Sequence, residues 1–424
     1  THCISSAASD VYKRQDLHVG DATAQTRVAA VVDAERMRPE DYFELFHKVR
    51  VALAYGGDVR ERRLSVICRL LAMACYAHSV PESTANSQLF LYEPGVVPRV
   101  AALANPQRGM DERVQSAALY ALDALGRYRT KLQEVLAALN ASVSHGVLLQ
   151  VVQRMTQRLR AGGAELTPAM DEYVDSIMTV VAYLTTTVSG SNMVIGAGLI
   201  PHLVELVRLS SPDVYLVQRT ASRVVGLLDS VMYSYPPAFD LFCNAQGIEV
   251  VVQRIAEEVD AGVAAEAAAT PMEQDEGSAA GANEPAGMPF GRSMLLRNML
   301  KLIVHLMSTP GTSEGLRNLI DTSLVDSLKR IMEHRTAFGP QTLAHAINIM
   351  AVFVHNEPTL LATVQEKRLP DAFLASLQGE MEPSFEVITA TTTAIGALCL
   401  NPAGLELFTS CLLYTSDAAD DMQW

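Results

Sequence analysis

Aromatic residues make up only 6% of this 424-residue chain, with a single Trp, and cysteines number six. Between residues 16 and 410 four cysteines remain, Cys68, Cys75, Cys243 and Cys399. They are spread too widely for a disulfide framework, and no CxxC pair offers a zinc site. Cys68 and Cys75, seven residues apart, share a helical face and read as part of a core stripe. No apolar run approaches the roughly 18 residues that cross a bilayer, so no membrane partner is expected. Concentrated positive charge is missing too, with 33 Lys and Arg against 47 Asp and Glu for a net charge of −14. Beyond Arg60-Glu61-Arg62-Arg63 no basic cluster appears, which argues against direct nucleic-acid binding, a task that needs many phosphates neutralised together. Basic protein clients are compatible with the acidity; a solvated acidic surface explains it more simply.

Chemistry is equally sparse. The chain has no GxxxxGK[ST] loop, no GxGxxG after a strand, no GxSxG elbow and no HExxH pair. Its histidines are scattered, and His345 and His355, ten apart on an expected helix, point in different directions, which excludes an intrahelical metal pair. Asp123 sits in an apolar stretch with Arg127 one turn later, the spacing of a structural ion pair rather than of a general acid. No catalytic residue, no metal ligand and no cofactor is therefore expected. Asn-Ala-Ser (140–142) matches a glycosylation triplet that chance alone supplies often.

The two ends read differently from the middle. SSAASDVYKRQ (5–15) back-translates into a transposase-type sequencing adapter, and CLLYTSDAADD (411–421) into its reverse complement. Residues 1–15 and 411–424 are accordingly expected to be adapter artefact. Without them the lone Trp disappears and the net charge becomes −12, since Asp10, Lys13 and Arg14 carry +1 and Asp417, Asp420 and Asp421 carry −3.

What remains is helical grammar. In LTPAMDEYVDSIMTVVAYLTTT (166–187), Thr167 before Pro168 is an N-cap signal, and Tyr173, Ile177, Val180 and Leu184 form one buried stripe. SPDVYLVQRTASRVVGLLDSVMYSYPP (211–237) repeats the design, with Ser211 as cap and a stripe of Val217, Ala221, Val224, Leu228 and Val231 up to Pro236-Pro237. Strand-like alternation is scarce, and the expected class is all-α.

A short phrase then recurs: EPGVVPRVAAL from Glu93, SHGVLLQVVQRM from Ser144, GAGLIPHLVELV from Gly196, AQGIEVVVQRI from Ala245, TSLVDSLKRIM from Thr322 and KRLPDAFLASL from Lys367. Aligned on Gly95, Gly146, Gly198 and Gly247, the steps are 51, 52 and 49 residues, and Ser323 to Leu369 is 46. The step from Gly247 to Ser323 is 76, but it contains residues 259–291, whose small, polar, Pro- and Gly-rich composition reads as a disordered insertion. A helical period of 40–50 residues is the signature of an armadillo or HEAT solenoid, in which each unit leaves an apolar face that only its neighbour covers. A non-repetitive helical domain is the bland alternative.

Three features are candidates for binding. Glu273, Asp275 and Glu276 form an acidic docking segment or a passive linker. Asn298, Asn318 and Asn348 offer side-chain amides to an extended client backbone, or serve as helix caps. FLYEP (90–94) places Phe90 and Tyr92 before a turn, more readily a packed corner than a pocket.

Particular phrases carry a resemblance. SQLFLYEPGVV (87–97), SAALYALDALGRYRTKLQEVLAALNASVSHGVLLQVV (116–152), VAYLTTTVSGSNMVIGAGLIPHLVELV (181–207), GLRNLIDTSLVDSLKRI (315–331), VHNEPTLLATVQEKRLPDAFLASL (354–377) and NPAGLELF (401–408) closely resemble the N-terminal region of the giant HECT-type E3 ubiquitin-protein ligases. The resemblance runs from roughly Glu40 to Phe408 and implies two armadillo-like units, 16–164 and 165–410. It also implies a parent that takes ubiquitin from an E2 onto a distant C-terminal cysteine and passes it to client lysines, in cytoplasm and nucleus. None of the four cysteines belongs to that motif, so the expected role is a non-catalytic scaffold holding protein clients along a concave solenoid surface. Its E2–ubiquitin partner would be met through an absent HECT domain. The alternative is an armadillo-type interaction adaptor with no attached enzyme.

Overall fold

The computed structural model describes residues 59–82, 95–140, 146–162, 167–210, 215–269, 288–308, 322–356, 361–377 and 384–410. All regular structure among them is helical, as the sequence predicts. The adapter-like ends, the FLYEP stretch, Ser211, Asn318 and the acidic trio at 273–276 lie outside the described residues. The chain divides into two units, Thr1–His202 and Leu203–Trp424.

In the first unit the described helices are α1 (Val59–Ser79), α2 (Val96–Ala104), α3 (Glu112–Gly126), α4 (Arg129–Leu139), α5 (Val147–Ala161), α6 (Pro168–Thr185) and α7 (Val188–Gly196). The long helices α1, α3 and α6 pack side by side in chain order, while α2, α4 and α5 form a second layer. The cap signal of α6 works as read: the Thr167 hydroxyl accepts from the Met170 amide at 3.3 Å, and Tyr173, Ile177, Val180 and Leu184 are all buried. Bonds between neighbouring repeats carry the period. The Tyr128 hydroxyl donates to the Val80 carbonyl, 48 residues away, and that of Tyr183 to the Gly126 carbonyl, 57 away, both at 2.8 Å. The Glu82 carboxylate caps α4 of the next repeat, accepting from the Arg129 and Thr130 amides at 3.1 and 2.8 Å.

Helix α8 (Leu199–Arg208) spans the division. The second unit then holds α9 (Tyr215–Ser234), α10 (Pro237–Asn244), α11 (Gly247–Ala269), α12 (Phe290–Ser308), α13 (Leu324–Glu333), α14 (Arg335–Asn356), α15 (Leu361–Glu366), α16 (Leu369–Ser376) and α17 (Phe385–Cys399). Two rows result, α9, α12, α14 and α17 in one and α11, α13 and α16 in the other. The first row is parallel and in register. Asn298 Nδ2 donates to Ser222 Oγ at 2.9 Å, and His305 Nδ1 lies 2.7 Å from Asp229 Oδ1, both pairs 76 residues apart. That offset equals the one long interval in the sequence, so the extra residues fall between stacked repeats without shifting their register.

In five of the six recurring phrases the corner before the helix takes a residue of positive φ; the exception is the fifth, where Ser323 has φ of −67°. Gly95, Gly146 and Gly198 fill that place with φ of 72°, 81° and 72°. In the fourth copy the corner is Gln246, with φ of 58°, not the aligned Gly247, and in the sixth it is Arg368. Gly247 serves close packing instead: a Cβ there would stand 2.3 Å from the Phe242 ring. The spacing argument was therefore one residue out at this copy, because a glycine can be needed for clearance as well as for φ.

The segment 259–291 also needs correction at its start. Residues 259–269 are the last turns of α11. Val259 is buried, Gly262 lets the Phe338 ring approach to 2.4 Å from where a Cβ would stand, and Glu266 bonds Thr336 Oγ1 and His334 Nδ1 at 2.6 and 2.7 Å. The small-residue composition reads as disorder, yet the small residue that dominates 259–269 is Ala, the strongest helix former. Among the described helices, α14 is long and apolar enough to cross a membrane, but its apolar face is the unit's core, with Ile347, Ile349, Met350 and Phe353 buried.

Candidate functional site

The exposed stripe of the first row in the second unit forms a groove of about 540 Å³ across α12, α14 and α17. Helical spacing builds it: Met294, Arg297 and Lys301 recur at three- and four-residue steps on α12, and Gln341, His345 and Asn348 do so on α14. The opposite faces of the same helices are core, so these positions have only solvent to face. Phe385 and Thr389 of α17 close the third side, and Phe385, the first residue of its helix, is 81% exposed.

The polar groups are unevenly satisfied. Asn298 is tied to Ser222, whereas no hydrogen bond engages Asn348 or the His345 ring among the described residues. Arg297 donates from Nε to the Ser293 carbonyl at 3.3 Å and from Nη1 to Gln341 Oε1. Lys301 Nζ lies 3.7 Å from Asp229 Oδ2, with its side chain 53% exposed. Burial, then the charges of Lys301, Arg297 and His305, push the His345 pKa below the usual imidazole value. The groove thus offers positive charge, side-chain amides and an aromatic edge.

Two family models match the chain, DUF908 over residues 6–157 and DUF913 over residues 222–414, each described as a domain of unknown function. The E3 ubiquitin-protein ligase ptr1 of Schizosaccharomyces pombe is 31% identical over 358 residues, 83% of this chain and 10% of that protein. HUWE1 of Mus musculus, also an E3 ubiquitin-protein ligase, is 26% identical over 385 residues, 87% of this chain and 8% of its own length. TOM1 of Saccharomyces cerevisiae is 23% identical over 372 residues, covering 87% and 11% respectively. The chain belongs to the N-terminal region of the giant HECT-type E3 ubiquitin-protein ligases. It spans about a tenth of the length of the curated relatives it matches.

Within this ligase region the other singled-out residues take structural places. Asp123 is buried and bound by Arg127 Nη2 at 3.0 Å, with His78 Nε2 at 3.6 Å, and Arg127 lies over the Tyr183 ring, its central carbon 4.8 Å from the centroid. Cys75 is buried and Cys68 half-buried on α1. Among the described residues no group of three or more His, Cys, Asp or Glu could hold a metal. His345 lines the groove while His355 is exposed near the end of α14. Of the asparagines named from sequence, Asn298 and Asn348 both reach the groove. Arg297, Lys301 and Phe385 were missed, although Arg297, Lys301 and His305 follow one another at four-residue steps.

Proposed function

We propose that this chain is a non-catalytic, client-binding scaffold of a HECT-type E3 ligase, which transfers ubiquitin from an E2 through a C-terminal cysteine thioester to lysines of protein clients. The observation that carries it is the groove on α12, α14 and α17, lined by cations, an exposed aromatic side chain and the Asn348 amide, which has no hydrogen-bond partner among the described residues. Family membership supports the ubiquitin chemistry, and the helical rows support the scaffold role. A scaffold of this kind acts by effective concentration, since a client held near the thioester reacts as though tethered to it. Partners on this reading are protein clients and E2–ubiquitin, and the compartments are cytoplasm and nucleus.

The test places Lys301→Glu, Asn348→Ala and Phe385→Ala together in the parent ligase. Thioester formation with E2–ubiquitin is expected to proceed at the unsubstituted rate while the set of ubiquitinated proteins contracts. An unchanged client set at unchanged rates would overturn the client-binding reading.

A further inference from the structure

We infer that the groove on α12, α14 and α17 recognises a short, extended, acidic peptide segment of a protein partner, its carboxylates on Arg297 and Lys301 and an apolar side chain against Phe385. This rests on the scaffold reading and adds the chemistry of the occupant.

Charge complementarity selects it. The chain carries a net charge of −14, yet the groove lining holds Arg297, Lys301 and the titratable His345 against one carboxylate, Glu386. Glu386 is already occupied, accepting from Ser384 Oγ at 2.6 Å, and Asp229 beside the groove takes His305 and Lys301. Arg297 has five N–H donors and spends two of them inside the protein, which leaves its remaining fork for a carboxylate. An acidic segment repelled by the rest of the surface finds its attractive field here.

Geometry sets the length and conformation. Packed helices lie about 8–10 Å apart, so three of them present roughly 20 Å, the reach of about six extended residues. The Asn348 amide can both donate and accept, as an extended backbone requires. Phe385 and Met294, both exposed at the rim, supply apolar area that water covers poorly. A nucleic acid fits less well, because two permanent cations neutralise too few phosphates to offset an anionic chain.

The experiment uses the 424-residue chain and fluorescence anisotropy with three labelled probes: a twelve-residue peptide with four Asp or Glu and one Leu, the same peptide with Lys at the acidic positions, and a twelve-nucleotide single-stranded RNA. The acidic peptide is expected to bind at least tenfold more tightly than the other two at low salt. Lys301→Glu alone should weaken it several-fold. Arg297→Glu with Lys301→Glu should abolish it and gain affinity for the basic peptide, a reversal that mere unfolding cannot produce. Equal binding of the two peptides, tighter binding of RNA, or indifference to Lys301→Glu would overturn the inference. If those results came together with a client set that still contracts in the parent ligase, the scaffold reading would stand and only the acidic occupant would fall.

Discussion

Asp123 in the first unit and Glu258 in the second are both buried carboxylates bonded to an arginine four residues away, but they solve different problems. Arg127, the partner of Asp123, keeps 43% of its side chain in solvent and leans on the Tyr183 ring. Arg254, the partner of Glu258, is only 2% exposed and Glu258 only 1%, at 2.9 Å from each other. Arg254 also donates to the Leu209 carbonyl at 3.0 Å, and Glu258 accepts at 2.5 Å from Arg292 of α12. The first pair lies along one helix, α3, with His78 of α1 and Tyr183 of α6 beside it and its arginine partly in water. The second joins α11 of one row to α12 of the other, and Arg254 and Glu258 have almost no access to water. The groove lies at the opposite limit, with Lys301 53% exposed and Arg297 using only two of its donors inside the protein. A polar residue's role in this fold thus follows from where its partner would be left if the contact were lost.

The largest expected effect comes from Glu258→Ala, which strands a buried guanidinium and should cost about 3–5 kcal/mol. Urea denaturation followed by circular dichroism measures it, and a loss no greater than that of Asp123→Ala would break the comparison. Asp123→Ala should cost less, about 1–3 kcal/mol, because Arg127 can turn to water after the charged hydrogen bonds are lost.

The same contrast explains how much was legible in the sequence. The i, i+4 spacing of Asp123 and Arg127 is visible along one helix, and the structure has that pair. Arg292 and Glu258 are 34 residues apart on different helices, so no periodicity connects them. The rows were foreseeable because recurring phrases open α2, α5, α8, α11, α13 and α16. The groove was only half foreseeable: Asn298 and Asn348 were named for their amides and Arg297 and Lys301 share a face of α12 by spacing alone, whereas Phe385 of α17 joins them only once three helices stack. The α11 extension through Ala269 was hidden because alanine serves equally well in a linker and in a helix, and burial of Val259 decides between them.

The two groove asparagines sharpen the comparison further. Asn298→Ala removes a bond between neighbouring helices of one row, α12 and α9, and should cost about 0.5–1.5 kcal/mol. Asn348→Ala removes no hydrogen bond among the described residues and should stay within about 0.5 kcal/mol of the parent, while weakening the acidic peptide. Equal losses of stability would show that Asn348 is structural too.

The smallest effect is a pH dependence. Burial, followed by the fields of Lys301, Arg297 and His305, makes protonation of His345 costlier in the folded chain than in the unfolded one. The unfolded state therefore binds the proton first, near the ordinary imidazole value of about 6.5. The stability this residue contributes is complete above that value and declines as pH falls below it toward the lower folded pKa. His345→Gln should flatten the part of the stability–pH curve just below pH 6.5, leaving the acid limb set by carboxylates such as Glu266, whose pKa the Thr336 hydroxyl and then His334 hold down. The acidic peptide acts in the opposite sense, since its carboxylates favour the imidazolium, so its affinity for the parent should rise as pH falls through the same window. A peptide affinity independent of pH in the parent, or a slope that survives His345→Gln, would place the imidazole away from the occupant and confine recognition to Arg297 and Lys301.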